Sequence, residues 1–303
     1  MKPVSSLWKN IEEYRMVFNA LTFDVEDWFQ IAALNKVISY DDWDHYESRV
    51  VVNVARIVDM LSRKGIKSTF FVLGWVAERY PQVVKMIFEA GHEVATHGYS
   101  HRSISEMSSR EFEQDLLRSI RMIEGIIPEK VVGYRAPNFS VTSETFWVFE
   151  ILADYGIEYD SSIFPIKHDR YGVKDFPRFP ACIRVNEQKK VNEFPISTIN
   201  LLGKNIPFAG GGYFRLYPYH FIKWAISSIN SSGKPVLIFI HPWELDTDLP
   251  RVGAGFLSKF RTYANLYLTQ DRFHRLINDF HFSTAKEVLA MNGSLPEIFA
   301  VHF

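Results

Sequence analysis

The sequence predicts an α/β fold built on parallel strands, and three observations lead to this prediction. Short apolar runs rich in β-branched and aromatic residues alternate with amphipathic segments of helical length. Several of the helical segments are followed by glycine, the residue most common just beyond a helix, as at Gly65, Gly91 and Gly156. The chain has 303 residues, of which 47% are hydrophobic and 23% charged, enough for one large folded domain.

The alternation is clearest in the first half of the chain. Residues 17–25 predict a strand, and residues 50–64 predict a helix because valine, isoleucine and leucine recur there every three or four positions. The next predicted strands are residues 68–73, 93–97 and 131–134, and the next predicted helices are residues 81–90, 105–124 and 142–155.

The rhythm changes after a predicted strand at residues 157–161. Residues 166–217 are irregular and rich in proline and glycine, which predicts hairpins and loops inserted into the α/β frame. A helix at residues 219–229 and a strongly apolar strand at residues 236–240 resume the pattern. The chain shows no internal repeat or linker, so one domain with an insertion is favoured over two domains.

Composition excludes several classes of protein. Lys plus Arg (34) nearly balance Asp plus Glu (35), which argues against a nucleic-acid partner. The single cysteine, Cys182, excludes an intramolecular disulfide and a thiolate metal site. No apolar run approaches the roughly 20 residues of a membrane span, and none near the N-terminus is typical of a signal peptide. We therefore expect cytoplasmic localisation, with work at a membrane surface and the oligomeric state left open.

Polar residues cluster where the predicted strands end. Functional groups of parallel sheets collect at the carboxyl ends of the strands. The first strand is followed by three acids in four positions, and later strands are followed by two histidines, an arginine and a further histidine. These residues are Asp24, Glu26, Asp27, His97, His101, Arg135 and His241.

His97 and His101 are candidate metal ligands. If that segment forms a helical turn, their spacing of four places both imidazoles on one face, and one carboxylate would complete a site for a divalent ion. Strand alternation favours Glu26 as that carboxylate, whereas Asp27 would point inward if the strand has already turned. The alternative is that both histidines are ordinary polar loop residues.

Asp24, Arg135 and His241 are candidates for acid and base chemistry. Asp24 is interpreted as a general base, with Arg135 pairing to keep it ionised, and His241 as a general acid for a leaving amine. The alternatives are that Arg135 is a surface arginine in an ordinary ion pair and that His241 is a core histidine with its hydrogen bonds satisfied. The glycine triplet at 210–212 lacks the context of a phosphate-binding loop, so we interpret it as a tight turn or a close approach to substrate.

In combination these motifs resemble the polysaccharide deacetylases, the NodB-homology family also called carbohydrate esterase family 4. The resemblance spans roughly residues 15–290. It rests on TFD at 22–24, GHEVATHGYSH at 91–101, GYRAPNF at 133–139 and LIFIHP at 237–242. The segments GGYFR at 211–215, FR at 260–261 and FH at 273–274 are similar to the branch found near exopolysaccharide and exosortase loci.

The resemblance implies a distorted barrel of about seven β/α units that removes N-acetyl groups from sugars with the help of a metal ion. Zinc is favoured, and cobalt, manganese or nickel would also suit such ligands. By analogy the backbone of Asn138 stabilises the oxyanion, and Ile240 and Trp243 line the acetyl pocket. Aromatic side chains such as Tyr213 suit stacking on an N-acetylated carbohydrate.

The chain departs from the family pattern at two places. Val25 stands where the family usually has a metal-binding aspartate, so the metal-binding acid is either Glu26 or Asp27. Asp160-Ser161-Ser162 replaces an aspartate-rich motif, so His241 would have to use Glu244 or Asp246 as its partner. An allantoinase-like amidohydrolase of small molecules and a catalytically silent carbohydrate-binding module are the alternative functions.

Overall fold

The structure, a computed structural model, describes residues 16–168 and 171–300. It is an α/β fold with a mostly parallel sheet, as the sequence predicts. The predicted lack of a signal peptide depends partly on residues 1–15, which lie outside the described residues. Residues 169–170 of the predicted insertion also lie outside them. None of the helices in the described part of the chain combines the length and apolar character needed to cross a membrane.

In the described part of the chain, ten strands form one sheet and two form a separate hairpin. The strands are β1 (Asn19–Val25), β2 (Thr69–Val72), β3 (Glu93–Thr96), β4 (Gly133–Tyr134), β5 (Tyr159–Asp160), β6 (Ala181–Arg184), β7 (Lys190–Glu193), β8 (Thr198–Leu201), β9 (Lys204–Pro207), β10 (Leu237–Ile240), β11 (Phe282–Ser283) and β12 (Glu297–Phe299). The larger sheet runs in the order β10-β1-β2-β3-β4-β5-β7-β6-β12, and β11 also pairs with β1.

The helices confirm most of the predicted positions. They are α1 (Val50–Ser62), α2 (Gly74–Arg79), α3 (Pro81–Glu89), α4 (Ser109–Glu124), α5 (Val148–Asp154), α6 (Gly211–Leu216), α7 (Tyr219–Asn230), α8 (Phe256–Tyr263), α9 (Leu266–Asp279) and α10 (Ala285–Met291). The helix predicted from residue 105 begins later, because the Ser108 side chain accepts a hydrogen bond from Glu111 N and caps it. The helix predicted at 142–155 is shorter, because residues 143–145 form a separate 3-10 turn.

The segment predicted as an insertion, residues 166–217, contains two antiparallel hairpins. The hairpin of β6 and β7 joins the main sheet, because β7 pairs in parallel with β5. The hairpin of β8 and β9 is separate. Irregular backbone then crosses from β5 to β10: Ile196 N donates to Ile163 O over 2.9 Å, and Phe239 N donates to Ala209 O over 2.9 Å. The described strands form an open path, so closure of a barrel stays a prediction.

The register of the sheet brings the chemically important strand ends to one edge. In the ladder Phe23 is paired with Ile240, Val25 with Val72, and Thr96 with both Val72 and Tyr134, as the parallel pairing of β10, β1, β2, β3 and β4 requires. The residues that follow these strands therefore emerge side by side. This places Glu26, His97, Arg135 and His241 around one point at the carboxyl edge of the sheet.

A buried pair of carboxyl groups lies behind this edge. Asp160 and Glu193 are both fully buried and hydrogen-bond to each other. Burial raises the pKa of both groups, and that of Glu193 lies well above its usual range. Asp160 also accepts hydrogen bonds from Ser162 N (3.1 Å) and Ser162 Oγ (2.6 Å), which suit its ionised form. Glu193 is therefore the protonated member of the pair, and it donates a hydrogen bond to Asp160.

We expect the free energy of unfolding of Glu193→Gln, relative to that of the wild type, to increase as pH rises. The folded wild type keeps a proton that the unfolded chain loses near pH 4.3, so its stability falls above that pH by up to about 1.4 kcal/mol per unit. Glutamine donates without carrying a titrating proton, which removes this dependence. Urea unfolding at pH 5 and pH 8 measures the difference. Exposed Glu158→Gln is the matched control, and a difference between Glu193→Gln and wild type that is independent of pH would contradict the shared proton.

Candidate active site

Glu26, His97 and His101 form a buried cluster that could hold a metal ion. Each offers one ligand atom, and these atoms all lie within 4.8 Å of one another. His97 directly follows β3, whereas His101 reaches the cluster from a loop in which it adopts φ +55°. The closest approach is 2.6 Å, between His101 Nε2 and Glu26 Oε2. Two imidazole nitrogens and a carboxylate oxygen are ligands that suit a first-row divalent cation.

The surroundings of these three side chains fit a cation. Glu26 Oε2 is buried and faces His101 Nε2, while Oε1 accepts a hydrogen bond from Trp243 Nε1 over 3.0 Å. His97 Nδ1 lies 2.9 Å from the carbonyl oxygen of Arg135, which leaves Nε2 for a metal. Burial raises the pKa of Glu26, but the charges of His101 and His241 outweigh it and lower that pKa to about 2.

Burial also lowers the pKa of His97, to about 4. At neutral pH the cluster therefore contains an ionised carboxylate and a neutral His97 imidazole. These are the protonation states that metal binding requires of those two ligands.

Asp27, the other acid left open by the sequence, lies outside the cluster. Its carboxylate accepts hydrogen bonds from the backbone N–H groups of Trp28 (2.8 Å), Arg49 (3.0 Å) and Val50 (3.2 Å), and from the Ser48 hydroxyl. It thereby fixes the loop after β1 against the start of α1. The structure brings Glu26, and not Asp27, to the two histidines, because the chain turns after β1 with Glu26 N bonded to Asp24 O.

Asp24 and Arg135 form a fully buried ion pair beside the cluster. Arg135 Nη1 donates to Asp24 Oδ1 over 2.6 Å and to Thr22 Oγ1 over 2.9 Å. The rest of the guanidinium is held by Ser161, whose backbone oxygen and hydroxyl accept at 3.0 and 2.9 Å. Arg135 thus fixes one oxygen of Asp24 and leaves Oδ2 directed to the interior of the site, 3.9 Å from His241 Nε2.

His241 faces both acids from the end of β10. Its Nε2 lies 3.7 Å from Glu26 Oε1, and its Nδ1 lies 3.0 Å from Glu244 Oε2. Burial lowers the pKa of His241, but the carboxylates of Glu26 and Glu244 outweigh burial and raise it to about 9. His241 is therefore a protonated imidazolium at neutral pH. Asp246, the other predicted partner, instead pairs with Arg49 and Asn53.

The residues predicted to contact substrate make the following local contacts. Trp243 stacks on His241 with ring centroids 5.2 Å apart, and Ile240 is wholly buried beside Phe23. Asn138 adopts φ +59°, and its side chain bonds to Ser103, so its backbone role stays a prediction. Tyr213 packs edge-to-face on Phe164, and its role toward substrate stays a prediction.

A cavity of about 770 Å³ adjoins the cluster at His101. Its walls come from the 3-10 segments after β1 and from α4, and they combine exposed Tyr40 with charged side chains such as Arg102 and Arg118. A cavity of this size accommodates a ligand larger than one acetamido group.

Two side chains that support the site are not predicted from the sequence. Ser161 departs from the family pattern, yet it holds Arg135. Arg215 is part of the GGYFR segment, and it is buried and bonded to Glu244. The sequence carries one sign of the role of Arg215: it is an arginine in an otherwise apolar and glycine-rich turn. If such an arginine is buried, it needs a buried anion as its partner.

Comparison with known proteins divides the chain into two matched segments. Residues 35–159 match the family model described as polysaccharide deacetylase. Residues 161–290 match a domain of unknown function, DUF3473. Glu26 and Asp24 precede both segments.

Three of the curated relatives show how far the similarity in sequence extends. A peptidoglycan deacetylase of Helicobacter pylori is 32% identical over 112 residues, which are 37% of each chain. A peptidoglycan-N-acetylglucosamine deacetylase of Bacillus cereus is 32% identical over 84 residues, 28% of each chain. A chitooligosaccharide deacetylase of Sinorhizobium fredii is 35% identical over 82 residues, 27% of this chain and 38% of that protein. The matches span only about a third of each relative's length.

Solved structures share the whole fold. A candidate polysaccharide deacetylase from Mycobacterium smegmatis has a TM-score of 0.62 at 20% identity and covers 95% of both chains. A second candidate polysaccharide deacetylase, from Pseudomonas aeruginosa, has a TM-score of 0.57 at 15% identity and covers 90% of both. At these identities the similarity establishes the α/β fold.

Proposed function

We propose that the protein is a metal-dependent hydrolase that removes N-acetyl groups from an amino-sugar polysaccharide or its oligosaccharide or lipid-linked precursor. The match of residues 35–159 to the polysaccharide deacetylase family model supports this proposal. The observation that carries the proposal is the cluster of Glu26, His97 and His101 beside the Asp24–Arg135 pair, with His241 Nε2 lying 3.9 Å from Asp24 Oδ2 and 3.7 Å from Glu26 Oε1. An acid, a base and a cation site thus surround one small volume.

Glu26, His97 and His101 are the residues that would hold the cation, zinc in the first instance. A divalent cation bound there supplies Lewis acidity, which polarises an amide carbonyl and makes a water molecule more acidic. The chain itself provides the two proton-transfer groups. Asp24 is the general base, because Arg135 holds one carboxylate oxygen and leaves the other free to accept a proton.

His241 is the general acid. Attack by water oxygen on the acetamide carbon transfers one water proton to Asp24, and the C–N bond breaks as His241 Nε2 gives its proton to the departing sugar amine. The products are acetate and the free amino sugar. Glu244 on Nδ1 keeps the proton-bearing Nε2 directed to the site.

The cavity beside His101 favours a glycan over a small cyclic amide. Its volume of about 770 Å³ exceeds what a single small amide needs. Exposed Tyr40 offers a ring face for a sugar, and Arg102 and Arg118 offer hydrogen-bond donors for hydroxyl groups. This arrangement supports the deacetylase over the allantoinase-like alternative.

Acetate release from N-acetylglucosamine oligomers of one to six units tests the proposal. We expect the zinc-loaded protein to release acetate from the longer oligomers in preference to the monosaccharide, and a chelator to abolish release. Tyr40→Ala should raise KM more for the hexamer than for the dimer. Exposed Tyr267→Ala, away from the cavity, is the matched control.

Two other outcomes identify the alternatives. Hydrolysis of allantoin without acetate release from any oligomer would establish the small-molecule amidohydrolase. Oligomer binding by the zinc-loaded protein without acetate release would establish a silent carbohydrate-binding module.

A further inference from the structure

Residues 161–290, which match the domain of unknown function, contain the predicted general acid of the candidate site. His241 lies in this segment, and so do the two side chains connected to His241 in series. Glu244 Oε2 accepts from His241 N and lies 3.0 Å from His241 Nδ1. Glu244 Oε1 accepts from Arg215 Nε over 2.7 Å. The Glu244 carboxylate therefore joins the imidazole to a guanidinium, with one oxygen for each.

Arg215 is itself held on all sides. It is 2% exposed, and its other nitrogens donate to the backbone oxygens of Arg261 (2.6 Å), Thr262 (3.3 Å) and Ala264 (2.7 Å). These carbonyls belong to the end of α8 and the turn that follows it. A buried guanidinium is tolerated only where an anion and hydrogen-bond acceptors surround it. Glu244 and these carbonyl groups therefore fix the position of the Arg215 side chain.

The glycines before Arg215 explain how α6 comes close enough to β10. A Cβ atom on Gly210 would lie 2.0 Å from the carbonyl oxygen of Phe239, and Gly211 adopts φ +52°. Only glycine allows this approach of the two backbones. One helical turn further on, Arg215 reaches Glu244. Gly210 and Gly211 thus have a structural task, because the close approach that they allow brings Arg215 to Glu244.

We propose that residues 161–290 form the proton-donating half of the active site, and that Arg215 is a positioning residue that fixes the His241 imidazole through Glu244. The role in proton donation rests on the proposed function; the fixing of the imidazole does not. Because Glu244 has one oxygen on each partner, loss of Arg215 frees the carboxylate to rotate away from Nδ1. His241 then loses the contact that aims Nε2 at Asp24 and Glu26.

Arg215→Met and Arg49→Met form a matched pair that tests this inference. Both remove a guanidinium bound to an acid of the same short turn, but Arg49 is bound to Asp246, which does not contact His241. We expect Arg215→Met to lower kcat for acetate release about 10- to 100-fold with KM and zinc content unchanged. Added guanidinium ion should restore part of kcat. Arg49→Met should keep kcat within about twofold of the wild type, because the contacts of His241 are intact.

An NMR measurement makes the test independent of catalysis. The Nδ1–H proton of His241, bonded to Glu244, should give a low-field signal in the zinc-loaded wild type and in Arg49→Met. It should be lost in Arg215→Met and in Glu244→Gln. If the wild type releases no acetate, the proposed function fails, and this signal still tests the positioning role.

A third variant covers the case in which Arg215→Met does not fold. Arg215→Lys keeps the charge but loses the forked geometry, and we expect an intermediate kcat and a weakened signal. Retention of the low-field signal together with an unchanged kcat in either Arg215 variant would overturn the inference.

Discussion

Glu26→Ala is expected to abolish binding of a divalent cation, whereas Asp27→Ala is expected to leave it intact. Glu26 supplies the only carboxylate oxygen of the cluster, and two imidazoles alone bind such an ion much more weakly. Asp27 has all its hydrogen bonds within the loop and α1, so its loss costs about 0.5–2 kcal/mol of stability, as for a helix cap. Elemental analysis of metal per chain after reloading with zinc, together with urea unfolding, measures both effects.

His97→Ala is the positive reference for that experiment, because it removes a ligand of a different kind. We expect it to lose the ion as Glu26→Ala does. Equal and small losses of metal in the Glu26 and Asp27 variants would rule out the cluster of two histidines and one carboxylate as the metal site. Loss of the ion in Asp27→Ala alone would move the ligand role to Asp27.

Asp24→Asn is expected to lower kcat about 10²- to 10⁴-fold while the bound ion is retained. Asparagine keeps an oxygen for Arg135 Nη1 but cannot accept the water proton as a carboxylate does. The substitution therefore removes the base with little change of shape. The measurements are kcat for acetate release and zinc content.

Thr22→Val is a useful comparison, because it removes the other acceptor of Arg135 Nη1 and leaves Asp24 in place. We expect a much smaller loss of kcat in this variant than in Asp24→Asn. Loss of the ion in Asp24→Asn would make Asp24 a ligand, and a kcat within about twofold of the wild type would exclude it as the base.

The sequence predicts the ends of the strands well, and these ends hold most of the candidate site. Apolar runs identify β1, β3 and β10, and the polar residues after each run must meet once the strands are parallel. The choice between Glu26 and Asp27 does not follow in the same way. It depends on the turn after β1 and on backbone donors at residues 49 and 50, which no local pattern around Asp27 encodes.

Long-range pairing explains the other differences. The hairpin of β6 and β7 reads as an insertion, because its attachment to β5 is a contact between distant strands with no local signal. Arg215 is 29 residues from Glu244, so its role depends on how α6 is set against β10. Helices α8 to α10 have amphipathic sequences, but they follow a proline- and glycine-containing loop that hides the alternation.

The position of β1 between β10 and β2 has a consequence for how the chain is made. Thr22 bonds to Ile238, 216 residues further along the sequence. At translation rates of about 5–20 residues per second, roughly 10 to 40 s pass between the synthesis of β1 and that of β10. During that time one edge of an apolar strand has no neighbour, which is a template for unwanted pairing with other chains. We therefore expect that shielding of this edge, for example by a bound chaperone, until residue 240 has left the ribosome would raise the folded yield.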